Sequence, residues 1–141
     1  MGIKMKLEHR DNCVLVKYIP NRSEASGQFD SDNGKIYVNI KLSLLERECV
    51  YLHEVSHKEC YLKKCKCWEG KEYWCDYHAM KGELQKVIAR GSLRLNRAYM
   101  KNVNQALDRY RADTKLWKAQ LVAIGLLMKT KMFKKLKRSI E

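Results

Sequence analysis

The sequence predicts an α+β fold, a small antiparallel sheet of two to three strands followed by a mostly helical body. Three observations lead there. Two runs rich in β-branched and aromatic residues, CVLVKYI at 13–19 and KIYVNI at 35–40, both fall in the first forty residues, and such residues suit a pleated, half-buried surface. The dipeptide Asn33-Gly34 stands just before the second run and is a turn signal for pairing strands. From residue 43 onward, apolar residues recur at helical spacing instead.

The first run ends at Pro20, which cannot donate to a sheet ladder, and residues 21–32 (NRSEASGQFDSD) read as polar loop. Residues 35–40 alternate as a short strand, expected at an edge of the sheet. Ser43, with Glu46 three residues on, forms a capping-box pattern. Leu44, Leu45, Cys49, Leu52, Val55 and Tyr61 then mark a helix over 44–61. A Lys- and Cys-rich connector covers 63–70, and a second helix over 71–90 stops at Gly91. Further helices are expected over 92–120 and 121–139. Gly91 is the main compositional break, so 1–90 reads as the core and 91–141 as a basic helical extension packed on or continuing the same domain.

At 141 residues the chain is one ordinary domain. Its 45% hydrophobic and 32% charged residues read as soluble and globular. No stretch approaches the roughly 18 uninterrupted apolar residues of a membrane span. Residues 1–13 (MGIKMKLEHRDNC) carry no apolar run of a secretory signal, so a cytoplasmic location is expected. In that setting the six cysteines read as reduced thiols or metal ligands rather than disulfides. Cys13 and Cys49 read as buried small apolar residues.

The sharpest motif is His53-Glu54-Val55-Ser56-His57. Two histidines four residues apart on a helix share a face, so their ring nitrogens can bind one Zn²⁺ together. Glu54 projects beside them and can take a proton from a zinc-activated water. Shuffling this composition would yield the pattern in roughly one chain in a hundred. The chemistry it predicts is amide hydrolysis, with Glu54 passing the proton to the leaving amine.

A catalytic zinc needs a third protein ligand. Glu72 and Asp76, four residues apart on the next predicted helix, share a face. Glu72 is placed to ligate and Asp76 to accept a hydrogen bond from a zinc-bound histidine, an interaction that fixes its tautomer. His78 is the rival ligand, about 240° around the helix from Glu72 and about 160° from Asp76. Glu83 is a weaker candidate.

The order KIYVNI, LERECVYLHEVSH, EYWCDYHAM resembles the ImmA/IrrE-type metallopeptidases of phages, integrative elements and bacteria, over about residues 35 to 90. Their HExxH helix is followed by one bearing ExxAD/N, an aromatic residue and Ala; Glu72, Asp76 and Ala79 fall on those positions. The resemblance implies a gluzincin-like site with Glu72 as zinc ligand and Asp76 as the carboxylate behind it. It also implies a regulatory protease whose protein substrate is a transcriptional repressor or regulator. Ser56 stands where Gly is usual before the second histidine, Cys75 replaces a small Ala, and the usual Leu-Met-Pro ending of the second helix is missing. A SprT-like, DNA-associated peptidase using His78 is the intermediate alternative.

Cys60, Cys65, Cys67 and Cys75 lie within sixteen residues. Their thiolates offer a second, structural metal site, although the tightest pair is C-x-C rather than the usual C-x₂₋₄-C; the alternative is a set of thiols with no metal. The net charge of +13 is uneven, with +3 through residue 90 and +10 beyond it. Residues 129–138 concentrate Lys129, Lys131, Lys134, Lys135, Lys137 and Arg138 around Met132, Phe133 and Leu136. Such a basic amphipathic helix can lie on nucleic acid non-specifically, on an anionic membrane or on an acidic protein, or it can pack on its own domain. The alternative function is therefore a nucleic-acid-binding accessory protein.

Overall fold

The computed structural model describes residues 10, 12–20, 25–68 and 72–141, except for the side chains of residues 68, 72, 114, 116 and 117. Three strands come first: β1 (Cys13–Val16), β2 (Gly27–Phe29) and β3 (Ile36–Asn39). Five helices follow, α1 (Leu44–Leu62), α2 (Glu72–Arg90), α3 (Leu93–Ala112), α4 (Thr114–Met128) and α5 (Lys131–Ile140), with a 3₁₀ turn at Lys66–Trp68 between α1 and α2.

The α+β class and the three-stranded sheet match expectation, but the sheet is mixed. β3 lies in the centre, antiparallel to β2 and parallel to β1. The strand expected at an edge is thus the central one, and β2 forms an edge inside the segment that reads as polar loop. β2 and β3 pair through the Asn33-Gly34 turn. Gly34 takes φ 75°, the left-handed region, and its N–H donates to the Asp30 carbonyl at 2.8 Å. Along β3, Ile36 and Val38 are buried while Tyr37 and Asn39 are half-buried, the period-2 alternation of a strand with one covered face.

α1 begins as its sequence suggests. Ser43 Oγ accepts from Glu46 N at 3.3 Å and donates to the Glu46 carboxylate at 2.9 Å, so one hydroxyl satisfies an end-of-helix donor and holds the acid in the first turn. At the far end of α2, Gly91 at φ 67° closes the helix. Beyond it the chain makes three helices where two are expected. The backbone leaves helical values at Asp113, and Thr130 restarts it by accepting from Phe133 N at 3.1 Å.

α1 is covered on two sides. Cys13, Ile36 and Val38 form a small cluster against Val50, Tyr51 and Val55. The larger cluster joins Cys49 and Leu52 of α1 to Leu84 and Val87, Leu95 and Tyr99, Leu127, Phe133 and Leu136. This cluster draws on every helix and runs across Gly91. Its presence means that α5 spends its apolar face on the core, leaving Lys131, Lys134, Lys135, Lys137 and Arg138 exposed.

α1 and α2 approach closely because both are small where they cross. A Cβ built on Gly82 would lie 2.6 Å from Ser56 Oγ and 2.8 Å from Ser56 Cβ. Ser56, buried, turns its hydroxyl back to the Leu52 carbonyl at 2.8 Å and accepts from Lys86 Nζ at 3.1 Å. That crossing sets α2 directly beside the His53–His57 turn.

Candidate metal centres

His53 and His57 occupy successive turns of α1, and their rings stand 4.9 Å apart at 75°, edge to face. Glu54 is buried at 8% exposure, an uncommon position for a carboxylate unless it has a task or a partner. Gly27 of β2 lies over it. A Cβ at that position would run into Val50 Cγ1 and sit 3.3 Å from Glu54 Cγ, so the missing side chain lets an edge strand pass beside the acid.

α2 supplies the carboxylates. Glu83 Oε1 is 2.9 Å from His53 Nδ1, which leaves Nε2 as the nitrogen for a metal. Burial favours neutral His53, but the hydrogen bond and charge of Glu83, with Glu54 and Asp76 adding, outweigh it and raise the imidazole to about 9. Burial raises the Glu83 carboxyl in turn, against the pull of His53. Two turns back, Asp76 Oδ1 is 4.0 Å from His57 Nε2, and Gln120 Nε2 of α4 donates to its other oxygen at 2.5 Å.

Asp76 is the carboxylate expected behind the histidines, whereas the one hydrogen-bonded to His53 Nδ1 is Glu83. Asp76 faces His57 from the Nε2 side. Glu72 opens α2, one turn before Asp76, and its side chain lies outside the described residues. His78 turns elsewhere. Its Nδ1 is 3.5 Å from Cys65 Sγ and 3.9 Å from Cys60 Sγ.

Those contacts belong to a second constellation. Cys60 Sγ and Cys67 Sγ are 3.1 Å apart. The ligand atoms of Cys60, Cys65, Cys67 and His78 all lie within 4.8 Å of one another, close enough to hold a metal ion such as zinc. Among the described residues this quartet reaches that closeness, and the His53–His57 turn with its described carboxylates does not. Burial pushes the Cys60 and Cys67 thiols up to about 12, while the Cys67 backbone N–H, with help from the Cys67 and Cys60 thiols, draws Cys65 down. Cys75 donates to the Cys67 carbonyl at 2.9 Å. Sequence spacing signals the thiols; His78 escapes it because its partnership is made by the α1–α2 crossing.

No family model, no curated protein and no solved structure matches the chain.

Proposed function

We propose that this chain is a zinc-dependent metalloendopeptidase of the ImmA/IrrE type, with His53 and His57 as ligands through Nε2, Glu72 as the third ligand and Glu54 as the general base. The observation that carries this reading is the ordering of His53 by Glu83. A carboxylate on the distal nitrogen is the usual companion of a metal-binding histidine, because it fixes the tautomer and strengthens the ligand. The donor set fits, since two imidazoles and a carboxylate with one open position make a catalytic zinc site.

Zinc held there would supply a water of pKa about 7 and a Lewis acid for an amide carbonyl. The chain's own residues do the rest. Glu54 takes the proton of the attacking water on its carboxylate and returns it to the leaving nitrogen. Asp76, its Oδ2 held by Gln120, has its Oδ1 4.0 Å from His57 Nε2, on the side of that ring where the metal would sit. The edge of β2, which among the described residues pairs with β3 alone, lies beside Glu54 and offers an extended peptide a strand to pair with. A regulatory role on a protein such as a repressor rests on the sequence resemblance alone.

The test combines zinc content with cleavage of a peptide library. His53→Ala/His57→Ala should lose one equivalent of zinc, and Glu54→Gln should keep its zinc while losing cleavage. Equal zinc in the double variant and the wild type, or cleavage unaffected by Glu54→Gln, would overturn the proposal.

A second reading is favoured by the exposed basic face of α5, because its apolar side is already used by the core. We propose non-specific nucleic-acid binding through residues 129–138 as an added property. A DNA mobility shift that weakens steeply with salt would support it, and no shift at low salt would remove it.

A further inference from the structure

We propose that Cys60, Cys65, Cys67 and His78 form a closed, structural zinc-type metal centre that staples the end of α1 to the start of α2, separate from the His53–His57 site.

The geometry comes first. Zinc bonded to thiolates at about 2.3 Å and to imidazole at about 2.0–2.1 Å gives tetrahedral edges of about 3.5–3.8 Å. The distances here are 3.1 Å between Cys60 and Cys67, and 3.5 and 3.9 Å from His78 Nδ1 to Cys65 and Cys60. The two His78 distances lie within about 0.4 Å of those edges, and the Cys60–Cys67 pair reaches its edge by opening roughly 0.7 Å. Four protein ligands of S₃N type leave no open position, the mark of a structural rather than a catalytic zinc, and soft thiolates select zinc over magnesium or calcium.

The four ligands come from separate pieces of chain. Cys60 is in the last turn of α1, and Cys65 follows Lys64, whose φ of 54° turns the chain back on itself. Cys67 sits in the 3₁₀ turn, and His78 is in the second turn of α2. Around them, Leu62, Lys63, Lys64 and Lys66 are exposed, and no residue from 63 to 67 enters either apolar cluster. Among the described residues, then, the connector has little apolar burial to fix it. A metal supplies that fixing directly, because its binding free energy becomes folding free energy.

Charge agrees. Loading releases three thiol protons to water and leaves His78 neutral, so three thiolates around a divalent ion carry a net single negative charge. Lys63, Lys64 and Lys66 surround it in sequence. The Cys75 thiol, on the Cys67 carbonyl, steadies the turn without being a ligand. Cys13 and Cys49, by contrast, are buried in the apolar clusters and stand as ordinary core residues.

One consequence rests on the peptidase reading. His78 is two residues after Asp76 and six after Glu72, so the centre orients the start of α2, which carries both residues.

The test is Co²⁺ titration of metal-stripped, fully reduced protein. The wild type and His53→Ala/His57→Ala should both develop thiolate-to-cobalt charge-transfer absorption, saturating at one equivalent in the histidine variant. Cys65→Ser/Cys67→Ser should lose it, and Cys75→Ser, which keeps a donor for the carbonyl, should retain it. A second measurement covers misfolding of the cysteine variant. In zinc-loaded wild type, chelation should expose three further thiols to a thiol reagent. Absence of the absorption in wild type, its persistence in Cys65→Ser/Cys67→Ser, or an unchanged thiol count would overturn the centre. None of these outcomes bears on His53 and His57, whose metal is the difference in stoichiometry between the wild type and the histidine variant.

Discussion

His53 Nδ1 and Glu83 Oε1 meet at 2.9 Å across the α1–α2 crossing, thirty residues apart in the chain. The pair fixes which nitrogen of His53 is left for a metal. Glu83→Ala should therefore weaken zinc retention at the histidine site about 10–100-fold, measured by chelator competition in the Cys65→Ser/Cys67→Ser background. Glu83→Gln, which keeps an acceptor oxygen, should fall between. Equal retention in all three proteins would show that Glu83 does not order the ligand.

The same pair predicts how the metal-free protein responds to pH. His53 is raised from 6.5 to about 9 in the fold, so the folded state binds its proton more tightly than the unfolded chain. The stabilisation is fully present below about 6.5 and is lost as pH rises through about 9. It is on the order of 3 kcal/mol. Denaturant midpoints measured across that window should decline for the wild type and decline less for Glu83→Gln. Zinc at Nε2 must displace this proton, so calorimetry in buffers of different ionisation enthalpy should report proton release at neutral pH.

The parts of this architecture that are local in sequence are the parts that can be read from it. His53, Glu54 and His57 need only helical spacing to share a turn, and Ser43 and Gly91 announce helix ends by their own chemistry. β2 gives no such signal, because Gly27-Gln28-Phe29 has no alternating pattern and is a strand only where β3 and α1 cover it. The parallel pairing of β1 with β3 is likewise a tertiary choice. Thr130 is a readable cap, but the apolar run before it and the basic helix after it together look continuous. Glu83 and His78 acquire their partners, His53 and the Cys60–Cys65 pair, only once α2 folds back over α1. Periodicity along one helix cannot name a residue on another.

Gly27 tests the edge beside Glu54. An added Cβ meets Val50 Cγ1 and the Tyr37 carbonyl oxygen at 3.0 Å, neither of which is the free end of a long side chain. Gly27→Ala should push β2 off α1, costing about 1–3 kcal/mol of stability. Under the peptidase reading it should also lower peptide cleavage several-fold while zinc content stays unchanged. Full cleavage in a protein of wild-type stability would mean that β2 does not border the substrate.

Ser56 and Gly82 offer the most direct check on how the helices cross. Gly82→Ala places a methyl within 2.8 Å of Ser56 Cβ, and a backbone-proximal carbon cannot swing aside. The helices must separate, at about 1–3 kcal/mol. Ser56→Gly alone removes the hydroxyl that Lys86 Nζ donates to and adds backbone freedom to the unfolded chain, costing about 1 kcal/mol. Combined, the two should be less damaging than their sum, because removing the serine side chain vacates the space that the new methyl needs. A double-mutant cycle by urea denaturation should therefore give a favourable coupling of about 1 kcal/mol or more. Strict additivity would mean that the helices do not touch at this pair. Such a crossing would no longer hold Glu83 against His53, and the ordering of that histidine would need another cause.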